Sequence, residues 1–175
     1  GCPLDVSARE RGTSVYFPQY VIPMLPESLS NGLCTLKEGV DRLAMVCDMV
    51  IGKRGAVREF TFYEATIRSQ RRFTYTRVQS ILGGADDSLA GPINQLSALY
   101  RVLLSARGRR GAVDFDAPEL RVAFDDAGEV RGFEPIYRQD AHRLIEECML
   151  CANVCAARLV GGFEPSALYR VNEPP

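Results

Sequence analysis

The sequence predicts an α+β fold in which antiparallel β-hairpins pack with α-helices. Three observations carry this. Strand-like runs come in adjacent pairs around turn residues, helical stretches are grouped after them, and the two do not alternate as they would around a parallel sheet. A chain of 175 residues buries one core, so it forms one domain or part of one. Apolar and charged shares of 46% and 25% are ordinary for a globular protein. No apolar run has the length a membrane span requires. The opening Gly1-Cys2-Pro3-Leu4-Asp5 lacks the basic and then apolar stretches of a signal peptide, and it begins abruptly, as a segment of a longer protein would.

Element by element, residues 1–11 read as a short helix stopped by Gly12. Ser14-Val15-Tyr16-Phe17 is a strand ended by Pro18, and 21–33, with prolines at 23 and 26, is extended and then a helical turn. Leu43 to Ile51 and Val57 to Ile67 are rich in β-branched and aromatic residues and flank Gly52-Lys53-Arg54-Gly55, the signature of a hairpin. A helix begins over 75–82. A second covers 93–107, with Ile93, Leu96, Leu99, Val102 and Leu103 at helical spacing. Another hairpin occupies 119–137, turning at Asp125-Asp126-Ala127-Gly128. The longest helix is expected from Asp140 to Leu159, ended by Gly161-Gly162, with a last strand at Leu168-Tyr169-Arg170-Val171.

The net charge of −1 gives no direct pointer to nucleic acid, but only Lys37 and Lys53 among the 21 basic residues are lysine. Arginine forks onto phosphate and stacks on bases, although a composition bias produces the same excess. Cys34, Cys47, Cys148, Cys151 and Cys155 sit among apolar neighbours in segments that read as core. Reduced thiols and a cytoplasmic protein fit this better than a disulfide scaffold.

Four constellations could carry chemistry. Cys148-x-x-Cys151-x-x-x-Cys155 is near a metal or cluster spacing, but on a helix it shares a stripe with Ile145, Ala152 and Leu159 and reads as core. The acid pairs Asp86-Asp87, Asp114 with Asp116, and Asp125-Asp126 could hold magnesium. The first and last fit caps and turns, which leaves Asp114 and Asp116 as the pair hardest to dismiss. His142, Glu146 and Asn153 form a polar line at i, i+4 and i+11, readable also as an exposed face with local pairs such as Arg143 with Glu147. Tyr16, Phe73, Tyr75 and Phe115, near Arg68, Arg71, Arg72 and Arg77, could stack bases and hold phosphates, or fill a core. No nucleophile elbow or phosphate-cradling glycine loop is present in the sequence.

Several phrases resemble the RNB catalytic domain of the ribonuclease R and ribonuclease II family. They are Arg11-Gly12-Thr13-Ser14-Val15-Tyr16-Phe17-Pro18, Ile22-Pro23-Met24-Leu25-Pro26, Leu29-Ser30-Asn31-Gly32-Leu33-Cys34 and Phe73-Thr74-Tyr75. Arg110-Gly111-Ala112-Val113-Asp114-Phe115 and His142-Arg143-Leu144-Ile145-Glu146-Glu147-Cys148-Met149-Leu150 with Ala152-Asn153 complete the series, in order across the chain. The resemblance implies a magnesium-dependent 3′–5′ exoribonuclease that degrades single-stranded RNA processively to nucleoside monophosphates. It assigns Tyr16 to base stacking in the channel and Phe115 to the ring that closes that stack. Tyr75 and Glu146 are assigned to the sugar at the 3′ end, with Glu147 the alternative to Glu146. A phenol and a carboxylate can both bond a 2′-hydroxyl, which DNA lacks.

The resemblance also implies that 1–175 is part of an RNB domain, without the upstream aspartate cluster ending Asp-Ile-Asp-Asp-Ala and without the downstream arginine segment. Cold-shock and S1-type RNA-binding domains are expected elsewhere in the parent. The isolated chain is then expected to bind RNA and not to cut it, with no metal of its own and no membrane partner. It is also expected to aggregate or to depend on its neighbours for cover. A non-catalytic RNA-binding or regulatory module is the alternative, and a purely structural interaction domain a third.

Overall fold

In the computed structural model, residues 1–112, 119–163 and 168–169 are described, and they divide into two units. The first contains the described residues of 1–44, 64–72 and 119–137; the second contains those of 45–63, 73–112 and 138–169. The α+β class holds. The described residues form three two-stranded sheets, β1 with β2, β3 with β4 and β5 with β6.

In the first unit, α1 (Pro3–Arg11) starts on proline, whose missing N–H costs nothing there. It ends where Gly12 takes φ 69° and donates its N–H to the Ala8 carbonyl at 2.9 Å. The strands β1 (Val15–Tyr16) and β2 (Val21–Ile22) pair antiparallel with Tyr16 opposite Val21. The connection is closed by the Phe17 N–H on the Tyr20 carbonyl and by their stacked rings, 4.8 Å apart. A π-helical turn follows at Ser28–Leu33. The hairpin of β5 (Glu119–Phe124) and β6 (Val130–Ile136) turns where Asp125 Oδ1 accepts from the N–H groups of Ala127 and Glu129. That is the local bonding for which turns select aspartate.

The long strands β3 (Asp41–Ile51) and β4 (Val57–Arg68) contribute residues to both units. In the second unit, α2 (Tyr75–Leu82) is capped by Thr74, whose Oγ1 accepts from the Arg77 N–H at 3.2 Å. The helices α3 (Ala90–Arg109) and α4 (Asp140–Phe163) complete a three-helix group, each packed on the other two. Every buried apolar side chain described lies in this unit: Ile81, Ile93, Tyr100, Leu103, Ala106, Ala141, Leu144 and Cys155. The turn between β3 and β4 abuts α3 at Gly55 (φ 76°), where a Cβ would lie 2.6 Å from Ala106 Cβ. Glycine is required there on both counts.

Several expectations need correction. α4 continues through Gly161 and Gly162 to Phe163. Glycine weakens a helix by about 1 kcal/mol without forbidding it. Leu168 and Tyr169 have no strand structure, and Arg170 and Val171 lie outside the described residues. Cys34 is exposed, because it follows the π-helical turn on a surface loop. The buried stripe of α4 runs Ala141, Leu144, Glu147 and Cys155, while Ile145 and Leu159 are exposed.

Spacing alone misplaced that stripe because a carboxylate occupies one of its positions. Glu147 is 3% exposed and receives Arg107 Nη1 from α3 at 2.9 Å. A buried charge is tolerated only when so paired. We predict that Arg107→Ala, which leaves the carboxylate uncompensated, costs about 3–5 kcal/mol in urea unfolding. The double change Arg107→Met/Glu147→Leu should recover most of that loss.

Candidate nucleic-acid interface

The polar residues of interest gather where the N-terminal ends of α2 and α4 meet. Tyr75 is the first residue of α2, and the Thr74 cap fixes the backbone from which its ring leaves. That ring stacks on His142 of α4, with centroids 3.8 Å apart and planes 20° from parallel. His142 is itself held: its Nδ1 accepts the Gln139 N–H at 3.3 Å, which in the neutral imidazole leaves the proton on Nε2. One helical turn further along α4, Glu146 receives Arg138 in a fork. Arg138 Nε donates to Oε1 at 2.9 Å, and Nη2 donates to Oε2. Two-point guanidinium–carboxylate pairing fixes the carboxylate plane and leaves further lone pairs open.

Exposure separates the residues that can meet a ligand from those that cannot. The Glu146 side chain is 40% exposed and Tyr75 is 45% exposed. Glu147, next in sequence, is closed off in the core by Arg107. The 100° between successive helical residues makes this difference. The Gln139 side-chain oxygen is buried with no partner among the described residues, a cost of about 1–3 kcal/mol that core packing alone does not require.

The structure therefore brings Tyr75, His142 and Glu146 together in the second unit. Tyr16 stands in the first unit, 77% exposed on β1 beside the Phe17–Tyr20 stack. Phe115, Asp114 and Asp116 lie outside the described residues.

Two of the arginines grouped with the aromatics have other work. Arg68 forks onto both carboxylate oxygens of Asp41, at 2.6 and 2.9 Å, and holds that carboxyl below its usual range. Arg77 bonds the Asp86 carbonyl and the Asp87 carboxylate. Sequence proximity to rings did not reveal these pairings. Arg138, by contrast, escaped notice because its partner lies eight residues on, beyond simple helical spacing.

Magnesium fits none of the described acid pairs. Asp87 is 4% exposed, paired with Arg77, and accepts the Leu89 N–H. Asp125 bonds its own turn. Among the described residues no group of three or more potential ligands is arranged for a metal ion. The cysteines are all free thiols. Burial, and then the Glu147 charge, push Cys148 up from its ordinary value. Cys151 is raised by burial and neighbouring groups, against a smaller opposing pull from Arg110. Among the described residues no helix is long and apolar enough to cross a membrane.

This site geometry on an α+β frame defines a class: a helix group presenting an aromatic ring and a carboxylate beside it. The chain belongs to the RNB domain family, which matches residues 1–175. It is 47% identical to ribonuclease R of Vibrio cholerae over 98% of its length, and 47% identical to ribonuclease R of Escherichia coli over 99%. It spans 22% of the length of each of these relatives, so it corresponds to about a fifth of them. Among solved structures it is similar to Mycoplasma genitalium RNase R, in the apo form and in complex with ribose methylated single-stranded RNA. Each superposes with a TM-score of 0.85 at 28% identity, over 93% of this chain and 26% of the other.

A thiol whose pKa is raised has less thiolate at neutral pH, and only the thiolate alkylates. We predict that iodoacetamide at pH 7.5 modifies the exposed Cys2 and Cys34 well before Cys148 and Cys151, as read by peptide mass spectrometry. Raising the pH toward 9 should narrow the gap.

Proposed function

We propose that this chain is the part of a 3′–5′ exoribonuclease that receives the end of a single RNA strand. In this reading, Tyr75 and Glu146 contact the 3′-terminal ribose, Tyr16 stacks on a base, and Phe115 closes the stack. The observation that carries it is the fixed pair at the α2–α4 junction: a phenol held by a ring stack and a carboxylate held by a guanidinium fork, both open to ligand. A carboxylate accepts a hydrogen bond from a 2′-hydroxyl and a phenol donates to or accepts from it, so ribose is favoured over deoxyribose. The M. genitalium relative solved with ribose methylated single-stranded RNA supports the substrate class.

The whole enzyme is proposed to use magnesium, held by carboxylates outside the described residues, and to release nucleoside monophosphates. Of the described acid pairs, Asp87 is committed to Arg77 and the Leu89 N–H, and Asp125 to its own turn. The 175 residues alone are proposed to bind without cutting. They are proposed to belong to a cytoplasmic protein that carries further RNA-binding domains, a placement that six free thiols support.

Titration of a fluorescent single-stranded oligoribonucleotide tests this. Affinity is expected to fall as salt rises, because phosphates release counterions. Tyr16→Ala should weaken binding by about 1–3 kcal/mol, the worth of one base stack, and Tyr75→Ala by about 0.5–1.5 kcal/mol, the worth of one hydrogen bond to the ribose. Binding that ignores both salt and these substitutions would refute the proposal. Magnesium added to the chain and RNA should liberate no monophosphate, and release would overturn the division of labour.

A further inference from the structure

We propose that His142 is a positioning residue for ribose selection: its imidazole sets the plane of Tyr75, so that phenol and Glu146 carboxylate address one sugar. This rests on the reading of Tyr75 and Glu146 as the ribose-contacting groups.

Tyr75 sits at the start of a helix of 8 residues, about half exposed, and the stack on His142 is the ring contact that orients it. At 3.8 Å and 20° the rings are in face contact, so rotation of one requires displacement of the other. The imidazole is a suitable anchor because it cannot itself turn freely. Its Nδ1 is tied to the Gln139 N–H, and its backbone belongs to the first turn of α4.

The same short stretch holds the second sugar-facing group. Arg138 immediately precedes Gln139 and orients Glu146. Residues 138–142 thus fix side chains from two helices, and His142 is the link between them. A phenol that only needed to be present would not need such a stack. A phenol that must place one oxygen on a particular hydroxyl does, because a hydrogen bond weakens steeply with misalignment.

The test uses the full-length protein carrying this chain. Its readout is kcat and KM on two strands that differ only in a 2′-hydroxyl or 2′-deoxy 3′ terminus. His142→Ala should reduce the ribose-to-deoxyribose ratio of kcat/KM by roughly tenfold, the effect of misplacing one hydrogen bond. His142→Phe keeps a flat ring against Tyr75 and should retain most of the ratio, and it should also retain the ring-current shift of Tyr75 protons that His142→Ala loses. If His142→Ala does not fold, His142→Leu fills the space without a ring and replaces it in the comparison.

A ringless variant with the original ratio overturns the inference, as does His142→Phe behaving like His142→Ala. Tyr75→Phe and Glu146→Gln separate this failure from the underlying one. If neither changes the ratio, the ribose reading itself is wrong. If both do and the ringless variant does not, only the positioning role is lost.

Discussion

The rotation of α4 about its own axis is the constraint on which the second unit depends, and the ion pair between Arg107 and Glu147 sets it. A carboxylate at 4% exposure cannot turn toward solvent without abandoning its partner on α3. With Glu147 held inward, Leu144 and Cys155 fall into the core, and Glu146 is carried about 100° round to the open side. The helix would bury its apolar residues in a slightly different rotation as well. The charge removes that choice.

From this follows the arrangement at the junction of α2 and α4. His142 reaches Tyr75 because the first turn of α4 lies against the start of α2, and Arg138, just before α4, reaches Glu146 on the same helix. The phenol and the carboxylate come from different helices, yet each is fixed by a residue within 138–142. A site that distinguishes sugars by one hydroxyl needs this precision, because an unpaired polar group is what penalises the wrong substrate. Asp87 is taken up by Arg77 and the Leu89 N–H, and Asp125 by the N–H groups of its own turn, which leaves neither suited to an ion.

Much of the fold was legible because its signals are local. Gly12, the Gly52–Gly55 turn and the Asp125–Gly128 turn each mark a boundary through backbone chemistry that one residue type favours. The paired strands of 41–51 and 57–68 announced themselves by β-branched and aromatic content. What the sequence hid was tertiary. The α4 stripe was drawn through Ile145 and Leu159 because a rule of apolar spacing has no place for a buried glutamate. Likewise Arg68 and Arg77 looked free for phosphate, although their partners Asp41 and Asp87 lie 27 and 10 residues away. The choice between adjacent Glu146 and Glu147 could be framed from the resemblance, but only burial distinguishes them physically.

A structure of the full-length protein with a single-stranded RNA ending in an intact ribose tests the central claim most directly. The account predicts the 2′-hydroxyl of the terminal sugar at hydrogen-bonding distance, about 2.5–3.0 Å, from Tyr75 Oη and a Glu146 carboxylate oxygen. It also predicts Glu147 still buried against Arg107. A terminal ribose bound elsewhere, or Glu147 turned out to meet it, would contradict the account.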